Sequence, residues 1–383
     1  MKNFNYYNPT KIIFGKDKIK QLSSELPENS KVMITYGGGS IKNNGVYDEV
    51  IKALDGFDFI EFGGIESNPK YETLMQAVEL VRDEKVDFLL AVGGGSVIDG
   101  TKFIAAATHF KGDPWDILTK NSEVKFALPL GGVLTIPATG SEMNSKGVIT
   151  KSETKEKYAF DIPLVFPRFS ILDPAVAASL PKIQAANGVV DAFSHIIEQY
   201  LTYDVNQPLQ DRFAEGVLMT LIEEGSKYVE NSADYNVAAN IMWAATMALN
   251  GLIGAGVPND WSSHRIAHEI TALHNVDHAQ TLAIVMPGVM SVMREDKKEK
   301  LLQFGKRVFN VVQGDEQQRI EETIEKTDAF FRSLGIKTRL SDYNLGEETI
   351  NTIVQRFADR KTVLGENRNI TPQKVREILN DRL

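Results

Sequence analysis

The chain has 383 residues and a formal net charge of −9, and it is 43% hydrophobic and 24% charged. This globular composition excludes a fibrous or largely disordered chain, and the acidic balance disfavours nucleic acid or an anionic membrane as the main partner. It contains no cysteine, which excludes disulfides, iron–sulfur clusters, thiol nucleophiles and cysteine-bound zinc. No stretch matches a signal peptide or a membrane span, so we predict a cytoplasmic protein, and the length suggests two domains.

The first half of the chain alternates short apolar runs with helical patterns. Strands are predicted at 32–36, 58–62, 88–92, 131–137 and 169–172. Helices are predicted at 46–54 and 71–85, and a further helix follows the segment 93–96 and continues through Ile104. The run Phe88–Val92 is continuously apolar, as expected for a strand that is covered on both sides. This alternation predicts a parallel sheet with helices on both faces.

The second half of the chain has a helical pattern. Helices are predicted at 184–201, 211–228, 237–252, 299–312 and 320–334. Gly335 is a helix stop, and Thr371-Pro372 is typical of an N-cap and first turn that open a last helix. Prolines at 174 and 181 mark a boundary. We therefore predict an α/β domain over residues 1–180, an all-helical domain over residues 181–383, and a cleft between them.

Two glycine-rich loops follow predicted strands. One consists of Gly37, Gly38, Gly39 and Ser40, and the other is 93–96. Glycines let backbone amides approach an anion, and a following helix start adds partial positive charge. One such loop is equally well explained as a tight turn, and the spacing is not G-x-G-x-x-G. Two loops in one α/β domain favour a dinucleotide, with one at the pyrophosphate and one at the adenosine end.

The first loop also bears on the type of cofactor. NAD sites tend to place an Asp or Glu on the ribose 2′-hydroxyl, whereas this loop contains no carboxylate and so favours NADP(H). The segment 138–145 contains hydroxyl and amide side chains. By itself it is interpreted as a polar turn, but beside two glycine-rich loops it could hold the nicotinamide half of a dinucleotide cofactor. Lys102 and Lys157 are expected to be solvated surface charges, the usual state of lysine.

The histidines indicate a metal site. There are six, and four of them cluster in the short segment that begins at His264. His264 and His268 are four residues apart and share a helix face, as do Asp191 and His195. Carboxylate and imidazole ligands suit Fe²⁺, Zn²⁺ or Mn²⁺ rather than Ca²⁺ or Mg²⁺. Spacing alone leaves open which of the four clustered histidines bind, and we interpret His109 as a packed or surface residue.

Several long motifs carry a family resemblance. The first are Gly94–Asp99, Pro137–Glu142, Asn187–His195, His264–His268 and Asp277–Gln280. Together they resemble the iron-containing (group III) alcohol dehydrogenases over nearly the whole chain. The segments similar to the NADPH-dependent aldehyde reductase, or butanol dehydrogenase, branch are Phe62–Pro69, Asn250–Pro258 and Leu340–Tyr343. The resemblance implies a Rossmann-like α/β N-terminal domain with a parallel sheet and an all-α C-terminal domain, the dehydroquinate synthase-like architecture, with a metal in the cleft.

The resemblance also implies roles for individual residues. The implied metal ligands are Asp191, His195, His264 and His278. His268 would lie near the nicotinamide as a candidate proton relay, and His274 would be a bystander. The implied cofactor contacts, besides the Gly37–Ser40 loop, are Asn68, Gly94, Gly95, Ser96, Asp99, Thr135, Thr139, Asn144 and Lys157. NAD-using relatives carry an Asp where this chain has Gly38. The metal of the family is iron in some members and zinc in others. The family also implies a homodimer.

The implied function is reversible hydride transfer between NADPH and short- to medium-chain aldehydes, with the carbonyl oxygen on a divalent metal. Three alternatives remain open. A metal-dependent hydrolase is disfavoured by the glycine loops, and a noncatalytic nucleotide-binding module is disfavoured by the metal cluster. An NAD-dependent polyol or glycerol dehydrogenase is disfavoured by the missing carboxylate at the first loop.

Overall fold

In the computed structural model, which describes residues 1–383, the chain forms two compact units. The α/β unit comprises Tyr7–Pro181 and Asn231–Thr246, and the helical unit comprises Met1–Tyr6, Lys182–Glu230 and Met247–Leu383. The main change of unit therefore falls one residue beyond the boundary predicted at 180. Two short segments are exceptions to this division. Met1–Tyr6 belongs to the helical unit and Asn231–Thr246 to the α/β unit, which no local sequence pattern indicates.

Long-range contacts explain both exceptions. Met242 lies in the apolar core of the α/β unit, and the Thr246 hydroxyl donates to Glu142 Oε1 at 2.6 Å. At the other end of the chain, the Lys2 amide donates to the Gly256 carbonyl at 2.9 Å in the helical unit. Burial and backbone hydrogen bonding, rather than sequence position, assign these segments.

The α/β unit is built on one parallel sheet. The eight strands of the unit are β1 (Lys11–Phe14), β2 (Lys31–Tyr36), β3 (Asp58–Phe62), β4 (Phe88–Gly93), β5 (Leu130–Leu134), β6 (Lys146–Lys151), β7 (Glu156–Asp161) and β8 (Phe169–Leu172). Six of them pair in the parallel sheet in the order β1-β8-β5-β4-β2-β3. The predicted parallel sheet is confirmed, and β3 and β8 have the predicted bounds.

Helices cover both faces of this sheet, as predicted. Those of the α/β unit are α1 (Val46–Ala53), α2 (Tyr71–Asp83), α3 (Gly95–Ala107), α4 (Asp116–Thr119) and α7 (Tyr235–Ala248), of which α7 ends just beyond the unit. Alternate residues of β2 point to opposite faces. Met33 packs in one core with α2 and α3, whereas Val32 and Ile34 pack in another core with α1.

An antiparallel hairpin adds a second, two-stranded sheet that the sequence did not predict. β6 and β7 pair from Lys146 with Asp161 to Lys151 with Glu156. The buried positions of the hairpin include Gly147 and Lys157, which interrupt the apolar alternation typical of a strand, and its turn has Lys155 rather than glycine at a φ of 51°. The α/β unit therefore contains more than the predicted alternation of parallel strands and helices.

The helical unit has no strand. Its helices are α5 (Lys182–Tyr200), α6 (Pro208–Glu230), α8 (Ser262–His274), α9 (His278–Val292), α10 (Lys298–Val308), α11 (Glu316–Ser333), α12 (Glu347–Asp359) and α13 (Pro372–Asn380). Thr371 caps α13 as predicted, and Gly335 has the positive φ of 83° expected after α11. The helix predicted at 237–252 ends at Ala248, before Gly251 with a φ of 92°. None of the helices combines the length and apolar character that crossing a bilayer requires.

Candidate active site

Two glycine-rich loops lie at the carboxyl ends of neighbouring parallel strands. Gly37–Ser40 follows β2, the second loop follows β4, and β2 and β4 pair directly. The helices after these strands pack on opposite faces of the sheet, α1 on one and α3 on the other. Ligands of α/β proteins bind at such a point, where the strand order reverses and a crevice opens. The tertiary structure thus brings both predicted anion loops to the same edge of the sheet.

The start of α3 is suited to a phosphate group. Gly94 precedes the helix, and no side chain caps it. A Cβ on Gly95 would lie 2.2 Å from the Thr139 hydroxyl oxygen, and one on Gly94 would lie 3.1 Å from Ile136. Glycine is therefore required at Gly95 by close packing rather than by a positive φ. The Val97 amide donates to the Gly94 carbonyl at 3.0 Å, whereas the amides at the very start of a helix have no partner within it, and the helix dipole favours negative charge. An anion therefore fits here.

The Gly37–Ser40 loop has space for a larger group at its second residue. Gly39 has a φ of 92°, a left-handed conformation that favours glycine. By contrast, Gly38 is exposed, and a Cβ on it would meet no atom within 4 Å. The absence of a carboxylate at Gly38 is therefore not imposed by steric crowding.

The other predicted cofactor residues come from four segments of the α/β unit and are buried or partly buried. They are Asn68 before α2, Asp99 in α3, Thr135, Thr139 and Asn144 after β5, and Lys157 in β7. Asp99 accepts hydrogen bonds from the Ser141 hydroxyl at 2.6 Å and from the Val148 amide at 2.9 Å. Burial raises the pKa of Asp99, although Lys102 acts to lower it.

The expectation that Lys102 is a surface charge is wrong. Lys102 is fully buried in α3. Its Nζ donates to Ser141 Oγ at 2.8 Å, to Asn144 Oδ1 at 3.0 Å and to the Lys146 carbonyl at 2.8 Å. Burial lowers the pKa of Lys102 to about 8, against the opposing effect of Asp99. All three ammonium donors therefore tie the segment after β5 to α3.

The same expectation is wrong for Lys157. Its side chain is 8% exposed, and its Nζ donates to Asn68 Oδ1 at 3.0 Å. This bond joins two predicted cofactor residues that are 89 positions apart in the chain. Spacing along the sequence contains no signal for such a pair, because the fold alone brings the hairpin to the loop before α2.

The helical unit brings together three potential metal ligands. Asp191 and His195 lie one turn apart in α5, and His264 lies in the first turn of α8. All three side chains are buried, and one ligand atom from each lies within 4.8 Å of the others. The His195 and His264 rings are stacked with their centroids 4.8 Å apart.

The donor set of this group fits a divalent transition metal. One carboxylate and two imidazoles are ligands that Fe²⁺ and Zn²⁺ accept. His264 Nε2 is buried with no hydrogen-bond partner, an arrangement that costs free energy unless a ligand pairs with it. The residues present therefore fit a divalent metal ion.

His268 and His278 lie beside the three-residue group. His278 begins α9, and its ring centroid lies 5.3 Å from that of His264 and 4.9 Å from that of His268. His274, at the end of α8, has Nε2 3.0 Å from the Thr349 hydroxyl oxygen. His109 in the α/β unit packs edge-on against the Phe126 ring. The ligand role of His278 and the catalytic role of His268 stay predictions.

Comparison with known proteins identifies the family. A family model described as iron-containing alcohol dehydrogenase matches residues 9–174, and the model of the C-terminal region of the Fe-containing alcohol dehydrogenase family matches residues 185–383. The chain belongs to the iron-containing alcohol dehydrogenase family. The two matches together span almost the whole sequence, so the resemblance found in the motifs is confirmed.

Individual members of the iron-containing alcohol dehydrogenase family resemble this chain closely. The NADPH-dependent aldehyde reductase YqhD of Escherichia coli is 54% identical over 382 residues, which is 99% of each chain. A probable NADH-dependent butanol dehydrogenase of Bacillus subtilis is 43% identical over the full length of both. The crystal structure of E. coli YqhD superposes with a TM-score of 0.98 at 52% identity, covering 100% of this chain and 99% of that one. The predicted Rossmann-like and all-helical architecture is thus confirmed.

Sequence reasoning missed one acidic residue at the metal group. Glu198 lies in α5, and its Oε1 is 3.1 Å from His264 Nδ1. The available signal was its spacing, because Glu198 follows Asp191 by seven residues and His195 by three, which places all three along one helix face. Its partner lies 66 residues further along the chain, so the contact itself depends on helix packing.

Proposed function

We propose that this protein is a metal-dependent NADP(H)-linked alcohol dehydrogenase that reversibly reduces short- to medium-chain aldehydes. The buried group of Asp191, His195 and His264 carries the proposal. YqhD, with 54% identity, is named an NADPH-dependent aldehyde reductase, and several relatives at 37–43% identity are named butanol dehydrogenases. Aldehydes of this size class are therefore the proposed substrates.

In this proposal one group of residues binds the metal and another binds the cofactor. Asp191, His195, His264 and His278 would hold the metal, which when bound acts as a Lewis acid on a carbonyl oxygen. The first turn of α3 and the Gly37–Ser40 loop would hold the phosphates of the cofactor, whose nicotinamide supplies hydride. Iron and zinc both suit this donor set. A homodimer and a cytoplasmic location, expected from the family and the composition, stay predictions.

The proposed preference for NADPH over NADH rests on the loop after β2. Relatives with names that specify NADPH and NADH both occur, so family membership alone leaves the preference open. The exposed Gly38, with free space around its Cβ position, supports room for a 2′-phosphate. A metal-dependent hydrolase remains a weaker alternative, because two glycine loops at one switch point favour a dinucleotide.

The test of the proposed function is a cofactor assay on protein purified without oxygen. We expect about one metal ion per chain and oxidation of NADPH in the presence of butanal, with much slower oxidation of NADH. A chelator is expected to stop the reaction, and adding the native metal back is expected to restore it. Bound metal without consumption of either cofactor by any aldehyde would contradict the proposal and direct attention to hydrolysis.

We further propose that His268 delivers the proton to the product oxygen, directly or through a water. Replacing His268 by alanine is expected to lower kcat by about 100-fold, the usual scale of a positioned acid or base. Metal content, measured on the same samples, is expected to stay at the wild-type level. His274→Ala is the matched control, because His274 lies on the same helix and contacts Thr349. Loss of metal from His268→Ala would show that this histidine is a ligand instead.

A further inference from the structure

Glu198 contacts His264, a member of the buried group Asp191–His195–His264, at the ring nitrogen Nδ1, whereas Nε2 is the ring nitrogen with no hydrogen-bond partner. Glu198 is 2% exposed, and two nitrogen atoms of His264 lie within hydrogen-bond distance of its carboxylate. The His264 backbone amide donates to Oε1 at 2.9 Å, and the imidazole Nδ1 lies 3.1 Å from the same oxygen. The Glu198 main-chain carbonyl also accepts the Asp260 amide at 2.8 Å. Glu198 therefore contacts both the backbone just before α8, at Asp260, and the imidazole ring of His264.

These contacts determine which ring nitrogen is available to a metal. Carboxylate oxygens accept hydrogen bonds, so the contact between Glu198 Oε1 and His264 Nδ1 favours the tautomer with the proton on Nδ1. The lone pair of the neutral ring is then on Nε2, the buried atom with no hydrogen-bond partner. A carboxylate in this position also makes the imidazole a better ligand.

A second cluster, formed by Asp260, Lys297 and Glu366, fixes the segment that leads into α8. Lys297 Nζ lies 2.6 Å from Asp260 Oδ2 and 3.1 Å from Glu366 Oε1, and it donates to the Leu201 carbonyl at 2.7 Å. Burial alone would lower the pKa of Lys297, but Asp260 and Glu366 raise it. The cluster therefore holds a charged lysine beside the turn.

The turn held by this cluster contains a strained residue. Trp261 has a φ of 62°, a left-handed conformation that large side chains rarely adopt. Asp260 Oδ1 accepts the Ser262 amide at 3.0 Å, and the Trp261 ring packs edge-on against that of His264, with centroids 5.2 Å apart. Such backbone persists only where the surroundings hold it, so the start of α8 is fixed from both sides.

We propose that Glu198 is the positioning residue of the metal site: it fixes the tautomer and orientation of His264 and thereby increases metal affinity. The inference rests on the metal site of the proposed function. In this role Glu198 contacts neither substrate nor metal and acts through His264. The Asp260–Lys297–Glu366 cluster supports the same ligand by holding the backbone from which it projects.

The test compares metal affinity in wild type and in Glu198→Leu and Glu198→Gln, by competition of the apo-protein with a chromogenic chelator for Zn²⁺. Leucine cannot accept a hydrogen bond. The Zn²⁺ affinity of Glu198→Leu is therefore expected to fall by about 10- to 100-fold, the usual effect of losing the carboxylate partner of a ligating histidine. Glutamine keeps an acceptor oxygen, and its loss is expected to reach at most about tenfold. The visible spectrum of Co²⁺-loaded protein provides a second readout and is expected to change in both variants.

Glu215→Gln is the matched control. Glu215 is also 2% exposed, lies in α6 and binds Tyr200, Gln303 and Arg307. We expect it to change thermal stability while leaving Zn²⁺ affinity and the Co²⁺ spectrum at wild-type values. If Glu198→Leu does not fold, Glu198→Gln alone decides, and wild-type affinity together with a wild-type spectrum overturns the inference.

The outcomes separate this inference from the proposed function. Wild-type protein that binds neither Zn²⁺ nor Co²⁺ would contradict the metal site itself. Wild-type protein that binds both, with Glu198→Leu binding equally well, would overturn only the role of Glu198. Two results together support the role of Glu198: metal affinity that falls from wild type through Glu198→Gln to Glu198→Leu, and a changed Co²⁺ spectrum in both variants. A merely structural residue would leave that spectrum unchanged.

Discussion

Replacing Asp191 by asparagine is expected to remove the bound metal and lower the rate of aldehyde reduction by about 1,000-fold. The change keeps the size of the side chain, so packing in α5 is preserved, but it removes the negative charge of the one carboxylate in the buried group. A Lewis acid stabilises developing charge on a carbonyl oxygen by several kcal/mol, and about 4 kcal/mol corresponds to this factor in rate. Metal content by elemental analysis and NADPH consumption with butanal provide the two measurements.

The control for this variant is Asp211→Asn. Asp211 is a buried carboxylate of the same unit, in α6, and pairs with Lys300 at 2.6 Å. Its loss leaves a buried lysine without its partner, which costs about 3 kcal/mol or more of stability. Metal content is nevertheless expected to stay at the wild-type value. Equal metal content in Asp191→Asn and wild type would remove Asp191 from the ligand set.

Replacing Gly38 by aspartate is expected to raise KM for NADPH by about 100-fold and to lower KM for NADH. Two unit charges about 4 Å apart near a protein surface repel by about 4 kcal/mol, and salt reduces this value. The new carboxylate could also accept a hydrogen bond from the ribose 2′-hydroxyl of NADH. The backbone tolerates the change, because Gly38 is exposed and has open space at its Cβ position.

Gly38→Asn separates charge from size. Asparagine fills the same volume as aspartate but carries no charge, so its KM for NADPH is expected to stay within a few-fold of the wild-type value. Gly39 is not a suitable position for such a comparison, because its φ of 92° would strain any other residue. Unchanged kinetics with both cofactors in Gly38→Asp would show that this loop does not face the 2′-phosphate.

Local patterns predicted the regular elements well where the apolar residues follow the burial pattern of the strand or helix. The strand Phe88–Val92 is apolar at every position because helices cover both faces of the sheet, and α2 shows its buried stripe at helical spacing. The β6–β7 hairpin was missed because two of its buried positions are Gly147 and Lys157, so its buried face shows no apolar alternation. The segment 231–246 belongs to the α/β unit through Met242 and Thr246, contacts that no local window contains.

The sequence by itself determined the donor chemistry and the class of cofactor loop. A chain without cysteine restricts metal ligands to imidazole and carboxylate, and helical spacing places Asp191 and His195 on one face of a helix. Glycines after a buried strand indicate an anion loop, because only backbone without side chains allows such close approach.

Only the tertiary structure decided which residues meet. Periodicity describes one helix at a time, so the grouping of His264 with Asp191 and His195, and its contact with Glu198, depended on the tertiary arrangement that brings the first turn of α8 to α5. The burial of Lys102 likewise depended on three acceptors from a distant segment. A charged side chain is solvated unless the fold supplies partners, and those partners are separated in sequence by tens of residues.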